Sequence, residues 1–163
     1  MKLIICFAFM LISAKECDKN KTQMSDNMAP ETTSELAEMR MQEQVKVAYR
    51  ASTRGFFQLI EIEGDSIMIT YDYNLKDVNK YALPQEEKEA VSKLISELDV
   101  SKLADIEAPS KTHQYDAAPA AFLKVTKGDE VYMTQSFDHG KPPKALDGLI
   151  EKILALKTMF EKQ

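Results

Sequence analysis

The sequence is poor in the residues on which many activities depend. Of its 163 residues only two are cysteine, Cys6 and Cys17, and only two are histidine, His113 and His139. Residues 18–163 therefore contain no disulfide, and a paired-cysteine zinc motif is excluded. Tryptophan is missing, and five glycines and six prolines are too few for a fibrous or low-complexity chain. Basic residues number 21 against 26 acidic ones, a formal charge of -5, so no excess of cations awaits a nucleic-acid backbone. No apolar run reaches the roughly 20 residues that span a bilayer. Also missing are a nucleophile elbow, a P-loop, a dinucleotide fingerprint and a His-Glu-x-x-His zinc motif. These absences predict no metal centre, no cofactor, no nucleic-acid partner and no recognisable enzyme class.

What remains is 44% hydrophobic and 29% charged, enough apolar material for one modest core. The chain begins with a short address signal. Lys2 precedes an unbroken apolar run of about ten residues, 3–12, the length of a signal-peptide core and too short for a membrane span. Residues 1–17 are thus predicted to be a signal peptide of lipoprotein or ordinary type. Ordinary cleavage after Ala14 would leave a soluble periplasmic or secreted protein. Lipoprotein processing would make Cys17 the first mature residue and join a lipid to its thiol, although Lys15 and Glu16 depart from the small residues expected there. Cysteine chemistry favours the lipid, because a lone thiol in an oxidising compartment is a liability unless modified. Residues 18–44 are polar, without aromatic or β-branched aliphatic side chains, and cannot bury enough apolar surface to offset ordering. They are predicted to be a flexible tether of about 28 Å root-mean-square length, which suits a spacer between a membrane and a domain.

Residues 45–163 carry the folding signals of one α+β domain. Val45, Val47, Tyr49 and Ala51 alternate with Lys46 and Arg50, which is strand periodicity. The runs 56–62 and 66–71 follow, separated by Gly64-Asp65, and complete a meander. Residues 72–83 are polar and predicted irregular. Pro84 opens a helix with Glu86 and Glu87 in its first turn and an apolar stripe of Val91, Leu94, Ile95 and Leu98. After a loop over 99–114, strands at 120–126 and 130–136 meet at Gly128-Asp129, and a helix from Lys144 to about Glu161 closes the chain. A hairpin with a Gly-Asp turn and then a proline-opened helix occurs twice, which suggests a duplicated ββα unit. The expected architecture is an antiparallel sheet of about five strands, in βββα-ββα order, with two helices on one face.

Two loop segments bring together the residue types that carry chemistry. His113-Gln114-Tyr115-Asp116 precedes the fourth strand, and Ser136-Phe137-Asp138-His139-Gly140 follows the fifth. Both belong to the same open end of a hairpin, so Tyr115, Asp116, Asp138 and His139 form the candidate ligand or partner site. A carboxylate beside an imidazole orients a general base or supplies oxygen to a divalent cation. The plainer reading is turn chemistry, with aspartate capping, glycine at positive φ and the two prolines starting the helix. No residue is assigned as catalytic. Arg54-Gly55-Phe56-Phe57 is a tight turn whose adjacent rings must point to opposite faces of a strand, one into the core and one outward.

The segments SFDHGKPP, QYDAAPAAFLKV and ASTRGFF resemble a family of small, uncharacterised exported or lipid-anchored proteins of flavobacterial, Bacteroidetes-type bacteria. The resemblance covers roughly residues 45–156 and is strongest in the second half. It implies the same architecture and export route and supplies no catalytic residue. The expected function is that of a lipid-anchored cell-envelope protein, a non-enzymatic module that binds an envelope protein or a small ligand. The alternative is a small envelope hydrolase or metal-dependent enzyme using Asp116, Asp138 and His139.

Overall fold

A computed structural model describes residues 45–162. The predicted signal peptide, the tether and the lipidation site at Cys17 lie outside the described residues.

Alternation along the strands decides the architecture. β1 (Val45–Thr53) pairs antiparallel with β2 (Phe56–Glu63) on one side and with β5 (Ala120–Lys127) on the other. β3 (Ser66–Thr70) and β4 (Asn79–Ala82) extend the sheet beyond β2, and β6 (Glu130–Met133) extends it beyond β5, in the order β4-β3-β2-β1-β5-β6. The register aligns Tyr49 with Ile60 and Leu123, and Val47 with Ile62 and Val125, so their side chains share one face. That face is buried under α1 (Gln85–Ser96) and α2 (Asp147–Glu161), through Val91 and Ile95 of the first and Leu149, Ile150, Ile153, Leu156 and Phe160 of the second. The predicted α+β class, antiparallel sheet and two-helix layer are all present.

The sheet has seven strands rather than about five. β4 lies inside the stretch predicted irregular, and β7 (Phe137–Asp138) lies inside the second connection. Neither carries a run of alternating apolar residues. β4 is an edge strand held to β3 by its backbone, and Tyr81 alone reaches the core, stacked on Phe160 with ring centroids 5.0 Å apart. Its approach is shaped by Asp72, whose carboxylate accepts the amides of Asn74, Lys76 and Asp77 and so folds the preceding loop. The connection over 99–114 is also more ordered than a loop. It contains 3₁₀ turns at Val100–Asp105 and Thr112–Tyr115, and Leu103 in the first is fully buried.

The two halves share part of the expected repeat. Gly64 and Gly128 both hold positive φ, 59° and 58°, at two-residue hairpin turns, a conformation glycine adopts without a Cβ penalty. Pro84 and Pro143 have nearly the same backbone angles. The halves differ beyond that. β4 pairs with the outer strand of its hairpin and β7 with the inner one, and a 3₁₀ turn separates Pro143 from α2.

Candidate functional site

β7 is only two residues long, and its pleat governs the site. Phe137 pairs with Ala121 and Asp138 with Ala120 at the start of β5. Consecutive strand residues point to opposite faces. Phe137 enters the core against Tyr49, and Asp138 turns away from it. His139 continues the alternation and returns to the side of Phe137, where its ring lies 5.9 Å from that of Tyr49 and 5.8 Å from that of Phe56. Asp138 and His139, adjacent in sequence, therefore serve separate clusters.

On one side, Asp138 is 1% exposed and accepts five hydrogen bonds. Oδ2 takes the Ser110 hydroxyl, the Thr112 amide at 3.0 Å and the Thr112 hydroxyl at 2.6 Å. Oδ1 takes the His113 amide at 2.7 Å and His113 Nδ1 at 2.6 Å. Burial alone would oppose ionisation, but the donors from Ser110, Thr112 and His113 outweigh it and hold the carboxyl far below the usual carboxylate range. The other ring nitrogen of His113, Nε2, lies 3.1 Å from the hydroxyl of Ser136, which is exposed. Ser136 and Asp138 stand two apart in an extended segment and so face the same way. Together the contacts form a continuous chain, Asp138 to His113 to Ser136.

On the other side, the Tyr49 hydroxyl meets His139 Nδ1 at 2.7 Å. Burial raises the Tyr49 phenol well above its ordinary value, so the hydroxyl keeps its proton and donates. Burial, and then the positive charge of Lys157, push His139 below its ordinary value. His139 is accordingly expected to titrate below about 6.5 in an NMR experiment, with no change in Asp116→Asn. A value above 6.5, or one that moves with the Asp116 charge, would contradict this arrangement. The sign for stability follows from the direction. The unfolded histidine takes its proton first, so acidification through about pH 6.5 begins to weaken the fold at this position.

Of the four residues singled out in the sequence, Asp138 and His139 each join a cluster, and the two clusters are separate. Tyr115 is 83% exposed, and Asp116 closes the 3₁₀ turn in the left-handed region with φ 56°. Among the described residues no side-chain hydrogen bond joins Tyr115 or Asp116 to Asp138 or His139. His113 and Ser136 lie inside the same two segments, and the two-residue spacing of Ser136 and Asp138 is the signal in the sequence that points to Ser136. Among the described residues no group of three or more His, Cys, Asp or Glu side chains is placed to hold a metal ion.

A second feature lies on the sheet face opposite the helices. The Arg50 guanidinium sits over the rings of Phe57, Tyr73 and Phe122 at 5.2, 5.4 and 5.6 Å, within cation–π range. Phe57 meets Tyr73 edge to face at 5.3 Å. Arg50 Nε is buried without a hydrogen-bond partner among the described residues. As the turn chemistry requires, Phe56 faces the His139 side and Phe57 the Arg50 side. A groove of about 460 Å³ runs between them, lined by Ser52, Thr53, Phe56, Phe57, Tyr71 and Tyr73. No helix among the described residues is long and apolar enough to cross a membrane. The chain matches no protein-family model, and a search of curated proteins returns no match.

Proposed function

We propose that this is an exported cell-envelope protein, lipid-anchored at Cys17, whose domain is a binding module for an envelope protein or a small ligand. The address signal, the single cysteine after it and the polar tether support the location. The observation that carries the binding role is the aromatic and arginine patch on the sheet face that no helix among the described residues covers. Tyr73 is 68% exposed there, and Arg50 leaves Nε buried with no hydrogen-bond partner among the described residues, an arrangement with desolvated polar capacity and apolar area in one place. Arginine and tyrosine are the side chains most often found at the energetic centres of interfaces. The adjoining groove has a volume within the range of small-molecule sites.

The test is photo-crosslinking in cells, with a photoreactive residue replacing Tyr73 or, as a control on α1, the exposed Glu89. Adducts are expected from position 73 in the membrane fraction, absent from position 89. Cys17→Ser should move the protein to the soluble fraction. Equal crosslinking from both positions would remove the binding surface, and an unchanged membrane fraction would remove the anchor.

A further inference from the structure

The chain from Asp138 through His113 to Ser136 has the order of groups that activates a serine for acyl transfer. Oδ1 of Asp138 binds both the amide and the ring Nδ1 of His113, so the ring is fixed at two points, its own backbone and its side chain. An ionised acceptor at Nδ1 makes that nitrogen the protonated one in neutral imidazole, which leaves the Nε2 lone pair for Ser136 Oγ at 3.1 Å. The His113 side chain is 6% exposed and that of Asp138 1%, whereas Ser136 is open to solvent. The base and the group that orients it are shielded, and the nucleophile is accessible. A clasp that only secured the 110–115 segment would need Asp138, Ser110, Thr112 and the His113 amide. It would not need a ring nitrogen aimed at an exposed hydroxyl.

We propose that Ser136 is a nucleophile toward carboxylic esters with small, accessible acyl groups, with His113 as general base and Asp138 as a positioning residue. This goes beyond the binding role and uses a different part of the molecule from the Arg50 patch. In the first step a bond forms between Ser136 Oγ and the ester carbonyl carbon while the hydroxyl proton passes to His113 Nε2. Collapse of the tetrahedral intermediate breaks the bond to the alkoxy oxygen, and the leaving alcohol takes the proton from Nε2. Water, deprotonated by Nε2, then cleaves the acyl-serine to a carboxylic acid and restores the hydroxyl. Esters rather than amides suit an exposed serine, because their leaving group needs less assistance and the open surface provides little binding energy for distorting an amide.

The experiment treats the full chain with a fluorophosphonate probe and locates the adduct by intact mass and peptide mapping. One adduct per chain is expected, on Ser136, and none in Ser136→Ala, whose thermal melt should match wild type because the side chain is exposed. His113→Gln should slow labelling about 100-fold or more, the usual size of general-base assistance. The pH dependence of the labelling rate should differ between wild type and His113→Gln. No labelling above that of Ser136→Ala, or an adduct on another residue, overturns the proposal. Labelling of Ser136 at the same rate and pH profile in His113→Gln overturns it as well. Each of these results leaves the crosslinking from position 73 untouched.

Discussion

Replacing Asp138 with Asn is expected to lower the melting midpoint on the order of 10–20 °C and to release the 110–115 segment first. The carboxylate is the common acceptor of five donors that converge from Ser110, Thr112 and His113. An asparagine offers one oxygen and turns an NH₂ group toward donors, so several of them are left buried without partners, the costliest outcome for a hydrogen-bonding group. The same substitution should change the acid response. Because the folded Asp138 carboxyl titrates far below its unfolded counterpart, the unfolded chain binds the proton first. Its contribution is fully present above about pH 4 and is lost progressively as pH falls below that. Melting curves between pH 7 and pH 2 are expected to fall more steeply for wild type than for Asp138→Asn. Parallel curves, or amides of Thr112 and His113 that exchange no faster in the variant, would show that Asp138 is not the organiser of this end of the sheet.

How much of this was legible beforehand depended on whether a residue's role was written in its near neighbours. Val47, Tyr49 and Ala51, then Ile60 and Ile62, then Ile67 and Ile69 alternate so regularly that the buried face of the sheet is readable without coordinates. The helix stripes are readable for the same reason. β4 is not, because an edge strand is held by backbone pairing and needs only one side chain, Tyr81, to contact the core. Val100, Leu103 and Ile106 stand three apart in a polar stretch, too short a run to read as a helical stripe, yet Leu103 is fully buried and Val100 joins it in the core from a 3₁₀ turn. The site illustrates a different difficulty. Asp138 and His139 look like one unit in the sequence, but the pleat of β7 sends them to opposite sides. The imidazole that Asp138 binds comes from 25 residues earlier, and the pairing depends on a turn that Asp138 itself stabilises. A circular dependence of that kind leaves no local pattern to find.

The helix stripes also allow a sharper expectation than their periodicity alone. By spacing, Leu94 of α1 and Ile153 of α2 are equivalent mid-stripe positions. In the structure they are not. Ile153 is 1% exposed within the main core cluster, while Leu94 is half-buried beside Gly148, where α1 and α2 come together. Truncating a fully enclosed isoleucine removes its transfer free energy and leaves a cavity that close-packed neighbours cannot fill. Ile153→Ala is therefore expected to cost about 2–5 kcal/mol, a large part of the roughly 5–15 kcal/mol that holds a domain of this size together. Leu94→Ala should cost less, because solvent can occupy part of the space vacated and less area is lost from the core. The corresponding drop in melting midpoint is about 4 °C per kcal/mol for a domain of this length, so the two variants should separate clearly. The exposed Glu151→Ala on the same helix provides the control and should stay within about 0.5 kcal/mol of wild type. Denaturant titrations with unchanged m-values would confirm that the differences lie in the folded state. If Ile153→Ala melted with Glu151→Ala, α2 would not be packed on the sheet as described. If Leu94→Ala lost as much as Ile153→Ala, the contact between the helices at Gly148 would have to be as tightly enclosed as the core beneath them.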